Sequence, residues 1–251
     1  MSRYNFSAHR LYINAPLAEA AQIDLDQVQT NYVRNVLRLG DGDAILVFNG
    51  RDGEWNAAVT ASRRKQVTLI VKEMTRVQEP YLDLHYLFAP IKHARQDYMV
   101  EKAVEMGAGL LRPVLTHRTQ THRINGDRMR AHAIEAAEQC GILTIPDIAP
   151  EIKLDALLDT WDKDRLLVFC DEDAPSGDPV TVLRQRADAA RPFALAVLVG
   201  PEGGFDATER EALLGLPQVL RLSLGPRILR ADTAAVAALA LLQATLGDWR
   251  G

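Results

Sequence analysis

Cysteine is scarce in this chain of 251 residues, which contains only Cys140 and Cys170. Neither belongs to a C-x-x-C spacing or lies near a pair of histidines, so the sequence indicates neither a disulfide framework nor a zinc site. The six histidines also lack the spacing of metal ligands. We therefore predict a protein without a bound metal, and the low cysteine content is typical of a cytosolic chain.

Export signals and long apolar runs are missing as well. The first residues, MSRYNFSAHRLYI, contain no apolar core of a signal peptide. The longest apolar run, near residues 234–242, is far shorter than the roughly 18 residues that a membrane span needs. We expect a cytoplasmic protein with no membrane anchor.

The usual phosphate-binding loops do not occur. The chain contains neither G-x-x-x-x-G-K-[ST] nor G-x-G-x-x-G, which argues against a P-loop enzyme and a dinucleotide-dependent enzyme. The net charge of -4 argues against a surface that is basic throughout. Acidic residues are concentrated in residues 144–191, however, with 11 Asp and Glu against 6 Lys and Arg, so a basic face elsewhere remains open.

Residues 10–73 predict a small barrel of short β-strands. The apolar runs RLYI, AILVFNG, EWNAAVTA and QVTLIVKE are separated by turns rich in Gly and Asp. One helix is predicted over residues 26–39, where apolar residues that include Val28 and Val36 recur at helical spacing on one face.

After residue 75 the pattern changes to alternating strands and helices. One predicted helix has Asp127 as its N-cap and stops at Gly141, and the run RLLVFC that follows predicts a buried strand. This alternation indicates a mostly parallel sheet flanked by helices. We therefore expect two domains, residues 1–75 and residues 76–251.

Two apolar strands near the C-terminus end in Gly-Pro turns that lead into helices. The first reads LVGPEGGF, and Asp206 and Glu209 after it have the spacing of a capping box. The second reads LSLGPRILRADTA, with Asp232 as the expected N-cap. Ligands bind beyond the carboxyl ends of strands in open α/β sheets. From spacing alone, both segments can equally be tight turns with good caps.

The texts LVGPEGGF and LGPRILRADTA, in that order, resemble the signature of the SPOUT superfamily of methyltransferases. More narrowly they resemble the RsmE family of 16S rRNA uridine-N3 methyltransferases, and YVRNVLRLGDGD, EKAVEMG and AIEAAEQCG also match. The resemblance implies an α/β SPOUT-type trefoil-knotted methyltransferase domain with an N-terminal PUA-like small β-barrel domain that binds RNA. It also implies a homodimer, with the Ala-rich last helix in its interface, and rRNA of the small ribosomal subunit as partner.

The resemblance further implies that S-adenosylmethionine is bound in a bent form by three knotted loops. These loops would follow the strand that ends near Cys170 and include residues 199–205 and 222–231. The expected cofactor-binding residues are Val199, Gly200, Pro201, Glu202, Gly203, Gly204, Leu222, Leu224, Gly225, Ile228, Leu229 and Arg230.

Arg230 and Asp232 are the candidate catalytic residues. Methyl transfer to uracil N3 requires removal of a proton, either by a base or with the help of a cation that stabilises the uracil anion. We expect Arg230 to stabilise the anion and Asp232 to act as base or to orient Arg230, although Asp232 can also be a plain cap. The family usually has L-R-T-E-T where this chain has LRADT, and usually a basic residue where this chain has Ile142.

Several cations are candidate contacts to RNA phosphates, although each can equally be a solvated surface charge. They are Arg34, Arg38, Arg95, Lys102, Arg118 and Arg123, together with Arg63, Arg64 and Lys65. His117 and His122 lie in the basic segment THRTQTHR, which we expect to face RNA. Glu202 is expected to brace Arg227 or Arg230.

Two alternative functions remain open. The first is a SPOUT enzyme that acts on another RNA nucleoside, such as a ribose 2′-hydroxyl group. The second is a non-catalytic RNA-binding or ribosome-assembly factor with the same fold.

Overall fold

The computed structural model describes residues 8–61, 66–121, 124–175, 177–189 and 194–250. Contacts divide the chain into two compact units, Met1–Pro80 with Ala137–Ile145 and Tyr81–Ala136 with Pro146–Gly251. Within the described ranges, no helix has the length and apolar character needed to cross a membrane.

The first unit contains a five-stranded sheet in the order β1-β3-β4-β5-β2. Strand β1 is parallel to β3, and the other neighbours are antiparallel. Residues from all five strands enter one apolar core, so the sheet curls around that core. Among the described residues no pairing joins the edge strands β1 and β2, so the sheet is an open half-barrel rather than the closed barrel that the sequence predicted. The strands are β1 (Arg10–Tyr12), β2 (Gln22–Asp24), β3 (Ala44–Phe48), β4 (Glu54–Ala61) and β5 (Val67–Arg76).

The helix predicted over residues 26–39 is shorter and irregular. Helix α1 spans Gln27–Asn31 and is followed by a π-helical turn, Tyr32–Val36. A π-turn holds more residues than an α-turn and therefore changes which side chains face the core. Val33 is fully buried, whereas Val28 and Val36 are 78% and 60% exposed. Of the predicted apolar face, Tyr32 and Leu39 pack against the core, and the prediction was wrong for Val28 and Val36.

A buried ion-pair network joins the strands of the first unit. The Glu54 carboxylate accepts hydrogen bonds from Arg10 Nε (3.0 Å) and from Arg76 Nε and Nη2 (3.0 and 2.6 Å). The Glu54 side chain is 3% exposed and that of Arg10 is 4% exposed. Burial opposes ionisation of Glu54, but hydrogen bonds from Arg76, Thr75 and Arg10 hold its pKa below the usual range.

The second unit contains a seven-stranded sheet in the order β12-β10-β11-β6-β7-β8, with β9 also beside β7. All of its neighbouring strands are parallel, which confirms the predicted mostly parallel sheet. The strands are β6 (Asp83–Phe88), β7 (Leu110–Leu115), β8 (Asp147–Ile148), β9 (Ile152–Lys153), β10 (Arg165–Cys170), β11 (Ala194–Val199) and β12 (Val219–Leu222).

Six helices accompany this sheet in the described part of the chain. Helices α4 and α6 pack Leu157 and Leu213 against Phe169 and Leu198 of the sheet. Helix α7 instead contacts β11, α2 and α5. The helices are α2 (His93–Glu105), α3 (Gly126–Cys140), α4 (Leu154–Asp159), α5 (Pro179–Ala189), α6 (Ala207–Leu214) and α7 (Ala231–Thr245), and a 3-10 turn, Asp248–Arg250, follows.

Helix α3 begins at Gly126, two residues before the start that an N-cap at Asp127 implies. Asp127 lies inside its first turn, and Asn125 Oδ1 accepts the backbone N–H of Arg128 at 3.0 Å. That bond is of the N-capping type, so the prediction of Asp127 as N-cap was wrong.

Candidate functional site

Three loops leave the sheet of the second unit at the same edge. Strands β10, β11 and β12 are parallel and adjacent, with Cys170 paired to Leu222 and Phe169 paired to Leu198. Loops 171–175, 200–206 and 223–230 therefore begin side by side. They coincide with the segment after Cys170 and overlap segments 199–205 and 222–231, which the family resemblance assigned to one ligand site.

Asp171 anchors the start of loop 171–175. Its carboxylate, only 4% exposed, accepts hydrogen bonds from Arg210 (3.2 and 3.1 Å) and from Arg221 Nε (2.8 Å). Burial opposes ionisation, but the two guanidinium groups hold the pKa of Asp171 below the usual range. Sequence analysis missed this anchor, although an aspartate directly after a buried strand was a usable signal.

Loop 200–206 turns tightly at its glycines. Gly204 has a φ of +68°, is buried, and donates its N–H to the carbonyl of Pro201 at 2.9 Å. A side chain at Gly204 would overlap the Glu172 carboxylate. The capping box predicted at the start of α6 is present, because Asp206 accepts the N–H of Glu209 (2.8 Å) and Glu209 accepts that of Asp206 (3.1 Å).

Two arginines from other segments of the second unit bond to loop 200–206. Arg95 Nη2 lies 2.9 Å from Glu202 Oε1, and Arg118 Nη1 donates to the carbonyl of Gly203 at 2.6 Å. The expected bond from Glu202 to an arginine is present, but the arginine is Arg95 rather than Arg227 or Arg230. Arg95 and Arg118, both candidate phosphate contacts, touch loop 200–206.

His117 bonds to the start of α6. Its Nδ1 lies 2.5 Å from Asp206 Oδ2 and 3.9 Å from Glu209 Oε1, and its backbone N–H donates to Glu209 Oε1 at 2.7 Å. The hydrogen bond to Asp206, with the charges of Glu209 and Asp155, raises the pKa of this exposed imidazole above its usual range.

Loop 223–230 is the most open of the three. Gly225 has a φ of +102° and no atom lies within 4 Å of where its Cβ would be. Ile228 is 97% exposed, Leu224 and Leu229 are half-buried, and Leu222 at the strand end is buried.

Helix α7 begins after Arg230, whose backbone is the N-cap and whose side chain is exposed. The prediction of Asp232 as N-cap was therefore wrong. Asp232 lies in the first turn, where its Oδ1 accepts the N–H of Thr233 at 2.9 Å. The Arg230 side chain makes no capping bond, whereas the Asp232 carboxylate satisfies one N–H of the first turn.

A phenol and a thiol lie close to the base of this site. The Tyr86 hydroxyl group is fully buried and has no hydrogen-bond partner among the described residues. Burial, with the nearby Cys170 and Asp232, raises its pKa well above the usual range. Burial also raises the pKa of Cys170 to about 12, so its thiol stays protonated and is a poor nucleophile.

The other candidate RNA contacts lie in different surroundings. Arg34 is half-buried on the π-turn, and Arg38 is exposed with a φ of +59°. Lys102 bonds to Glu105 at 2.6 Å and lies 5.3 Å from the ring centroid of Tyr98. Five residues lie outside the described ranges, and they are Arg63, Arg64, Lys65, His122 and Arg123.

Two groups of side chains bring three possible metal ligands within 4.8 Å of one another. In the first, His132 bonds to Glu101 at 2.8 Å and Glu135 lies beside them. The second consists of His117 with Asp206 and Glu209. In both groups the histidine bonds to a carboxylate of the same group.

Two family models and relatives of known class match this chain. A family model described as an RNA methyltransferase domain matches residues 77–243, and one described as an RNA methyltransferase PUA domain matches residues 25–72. The ribosomal RNA small subunit methyltransferase E of Rickettsia conorii is 32% identical over 235 residues, which cover 92% of this chain and 93% of the relative.

Two solved structures share the fold over nearly the whole chain. A methyltransferase of Legionella pneumophila in complex with S-adenosylmethionine has a TM-score of 0.83 at 29% identity, covering 96% of this chain and 99% of that one. The ribosomal RNA small subunit methyltransferase E of Neisseria gonorrhoeae, bound to S-adenosylmethionine, has a TM-score of 0.83 at 26% identity, with 96% and 99% covered.

The expected fold class is confirmed as an α/β SPOUT-type methyltransferase domain with an N-terminal PUA domain. The match of the catalytic-domain model to most of the chain agrees with the three strand-end loops found in that segment. The chain therefore belongs to the RNA methyltransferase family that includes the ribosomal RNA small subunit methyltransferases E.

Proposed function

We propose that this protein transfers a methyl group from S-adenosylmethionine to N3 of a uridine in 16S rRNA of the small ribosomal subunit. The observation that carries the proposal is the set of three loops at the ends of β10, β11 and β12. Two of these loops contain the Gly-Pro turns that carry the family resemblance. Relatives with bound S-adenosylmethionine and the names of the curated relatives support it.

The residues at the site fit S-adenosylmethionine. Backbone N–H and C=O groups of loops 200–206 and 223–230 can form hydrogen bonds with the polar edge of an adenine. The open space beside Gly225 allows a ligand to approach the backbone. The exposed Ile228 offers apolar surface beside it. We assign the cofactor to the residues predicted from the sequence, from Val199 to Gly204 and from Leu222 to Arg230.

Gly204→Ala is expected to weaken cofactor binding about tenfold. The left-handed backbone of Gly204 costs a residue with a Cβ about 1–2 kcal/mol, and the side chain would also displace Glu172. The Kd for S-adenosylmethionine, measured by calorimetry, checks this. Gly203→Ala is the matched variant, because its Cβ would make only ordinary contact with Arg118, and it should weaken binding less. Equal effects of the two variants would contradict the argument.

Arg230 and Asp232 have complementary tasks in the proposed reaction. S-adenosylmethionine supplies an electrophilic methyl group when it is bound. The exposed guanidinium of Arg230 stabilises negative charge on the uracil carbonyl oxygens. Asp232, two residues along the chain, accepts the N3 proton or orients Arg230, and its half-exposed carboxylate is accessible for either task.

RNA binding is assigned mainly to the first domain. We propose residues 1–75 as the RNA-binding domain and residues 76–251 as the catalytic domain, in agreement with the PUA model over residues 25–72. Arg34 and Arg38 on and after the π-turn are the phosphate contacts, with the exposed Val36 between them. The predicted set also contains Lys102 and Arg123, and Arg95 and Arg118, which bond to loop 200–206.

A homodimer also belongs to the proposal. Helix α7 buries Leu239 and Leu242 within its own chain but leaves Val236, Leu241 and Ala244 partly or fully exposed. These residues can pack against a second copy, and sedimentation of the purified protein tests that directly. A trefoil knot in the catalytic domain and a cytoplasmic location, where ribosomal subunits are found, remain parts of this proposal.

Methyl transfer from labelled S-adenosylmethionine to unmodified small subunits tests the function. We expect label in 3-methyluridine after the RNA is digested to nucleosides. Label in another nucleoside would favour the alternative SPOUT activity. Cofactor binding without transfer to naked rRNA or assembled subunits would favour a non-catalytic assembly factor.

A further inference from the structure

The turn after β7 is built to present two side chains in a fixed way. Thr116 and Thr119 are buried, and the Thr119 hydroxyl group accepts the backbone N–H of Thr116 at 2.9 Å. The two hydroxyl groups are 3.0 Å apart, and the N–H of Thr119 donates to the carbonyl of Thr116 at 3.1 Å. His117 and Arg118 lie between these threonines, so the turn holds both of them on its exposed side.

Both side chains point to loop 200–206. The Arg118 guanidinium donates to the carbonyl of Gly203 at 2.6 Å, and the Arg118 side chain also lies beside the Cα of that glycine. A charged donor of this kind fixes the orientation of the Gly203–Gly204 peptide. His117 reaches the other end of the loop through Asp206, 2.5 Å away, and through its backbone bond to Glu209.

These contacts change the role of a segment that the sequence assigned to RNA. The Arg118 guanidinium has further N–H donors that could bond to a phosphate, but its bond to the Gly203 carbonyl already fixes the side chain against the loop. The contacts of His117 and Arg118 instead fall on both ends of the segment from Gly203 to Asp206, where the cofactor loop makes its tightest turn.

We propose that His117 and Arg118 are positioning residues that hold loop 200–206 in the conformation that binds S-adenosylmethionine. The inference rests on the proposed function, because the ligand of the loop is the one assigned there. Neither residue is assigned a contact with the reacting atoms. Their loss therefore raises the KM for S-adenosylmethionine and leaves kcat at saturating cofactor nearly unchanged.

The bond from the His117 imidazole to Asp206 depends on pH, and so does the part of the loop's conformation that this bond holds. Asp206 and Glu209 at the start of α6 and Asp155 on α4 are the acidic groups that surround it, and Arg118 is its neighbour in the turn. Because these carboxylates raise the pKa of His117, the support is complete below about pH 6.5 and declines as the pH rises through the higher folded-state pKa.

Three variants test the proposal. His117→Gln and Arg118→Met are each expected to raise the KM for S-adenosylmethionine about tenfold with kcat within about twofold, and Arg118→Lys should recover part of the affinity. Between pH 6 and pH 8.5 the KM of the natural protein should rise, whereas that of His117→Gln should stay flat. Lys163→Ala, which removes an exposed cation at the opposite edge of the sheet, is the matched control.

Hydrogen exchange of the amides of residues 202–206 gives a readout that needs no cofactor. Exchange about tenfold faster in His117→Gln and Arg118→Met than in Lys163→Ala at the same pH supports the proposal, even if methyl transfer to uridine fails. Unchanged exchange overturns it. A higher KM for RNA with an unchanged KM for S-adenosylmethionine also overturns it, since Arg118 would then be an RNA contact. The proposal is also overturned if a chelator added to the natural protein produces the same faster exchange, because a bound cation would then order the loop.

Discussion

Replacing Arg230 with alanine is expected to lower kcat for methyl transfer about 10²- to 10³-fold, the usual effect of removing one group that stabilises developing charge. The Arg230 side chain is exposed beside the proposed cofactor loops and, among the described residues, makes no bond that caps α7. The substitution removes only the side chain and keeps the backbone of residue 230 in the cofactor segment, so folding and the Kd for S-adenosylmethionine should stay nearly unchanged. Single-turnover rates on small subunits, measured together with cofactor binding, separate these effects.

Lys163→Ala is the control for this experiment as well, because it deletes an exposed cation before β10 at the far edge of the sheet. We expect its kcat to stay within about twofold of that of the natural protein. An Arg230→Ala enzyme with full kcat would remove Arg230 from the mechanism.

Asp232→Asn then distinguishes a base from a group that only accepts a backbone bond. An asparagine oxygen can still accept the N–H of Thr233, so the first turn of α7 is preserved. If Asp232 takes the N3 proton, kcat should fall about 10²- to 10⁴-fold. Turnover retained by Asp232→Asn would contradict a catalytic role for this carboxylate.

Replacing Glu54 with alanine is expected to destabilise the first unit by about 3–5 kcal/mol, because it leaves the guanidinium groups of Arg10 and Arg76 without their buried partner. The pKa of Glu54 is held below its usual range, so this stability is present above the unfolded-state pKa, near 4.5. It is lost as the pH falls through the folded-state value. The stabilising effect should therefore be smaller in acid.

Trp55, adjacent to Glu54 on β4, reports unfolding of the first unit if Trp161 and Trp249 of the second unit are replaced with phenylalanine. Urea titrations in that background give the free energy of unfolding for each variant. Glu73→Ala removes an exposed carboxylate from β5 of the same sheet and should change stability by less than about 0.5 kcal/mol. A similar loss in Glu54→Ala and Glu73→Ala would show that the buried network contributes little.

Local sequence signals identified the strand ends and one cap correctly. The capping box of Asp206 and Glu209 depends on residues three apart, and both bonds are present. The apolar runs that end at Cys170 and Val199 are strands that end there. Such features depend on neighbours along the chain, and a single sequence contains all of them.

Features that depend on distant residues could not be predicted in this way. Glu202 pairs with Arg95, 107 residues earlier, rather than with a nearby arginine. The π-turn at Tyr32–Val36 places Val33 in the core and leaves Val36 exposed, against the helical periodicity of the sequence. The prediction of Asp232 as N-cap failed because aspartate is common both at N-caps and within first turns, where the helix dipole also favours it.

Helix α3 is continuous from Gly126 to Cys140, yet its last residues belong to the first unit. Glu138 accepts the backbone N–H of Tyr12 at 2.8 Å, and Arg76 donates to the carbonyl of Gly141 at 2.9 Å. A recombination event with a single crossover near residue 80 would therefore separate this segment from the strands it bonds to. The first unit could be exchanged between genes only together with this second, internal stretch, so the two units are expected to be inherited together.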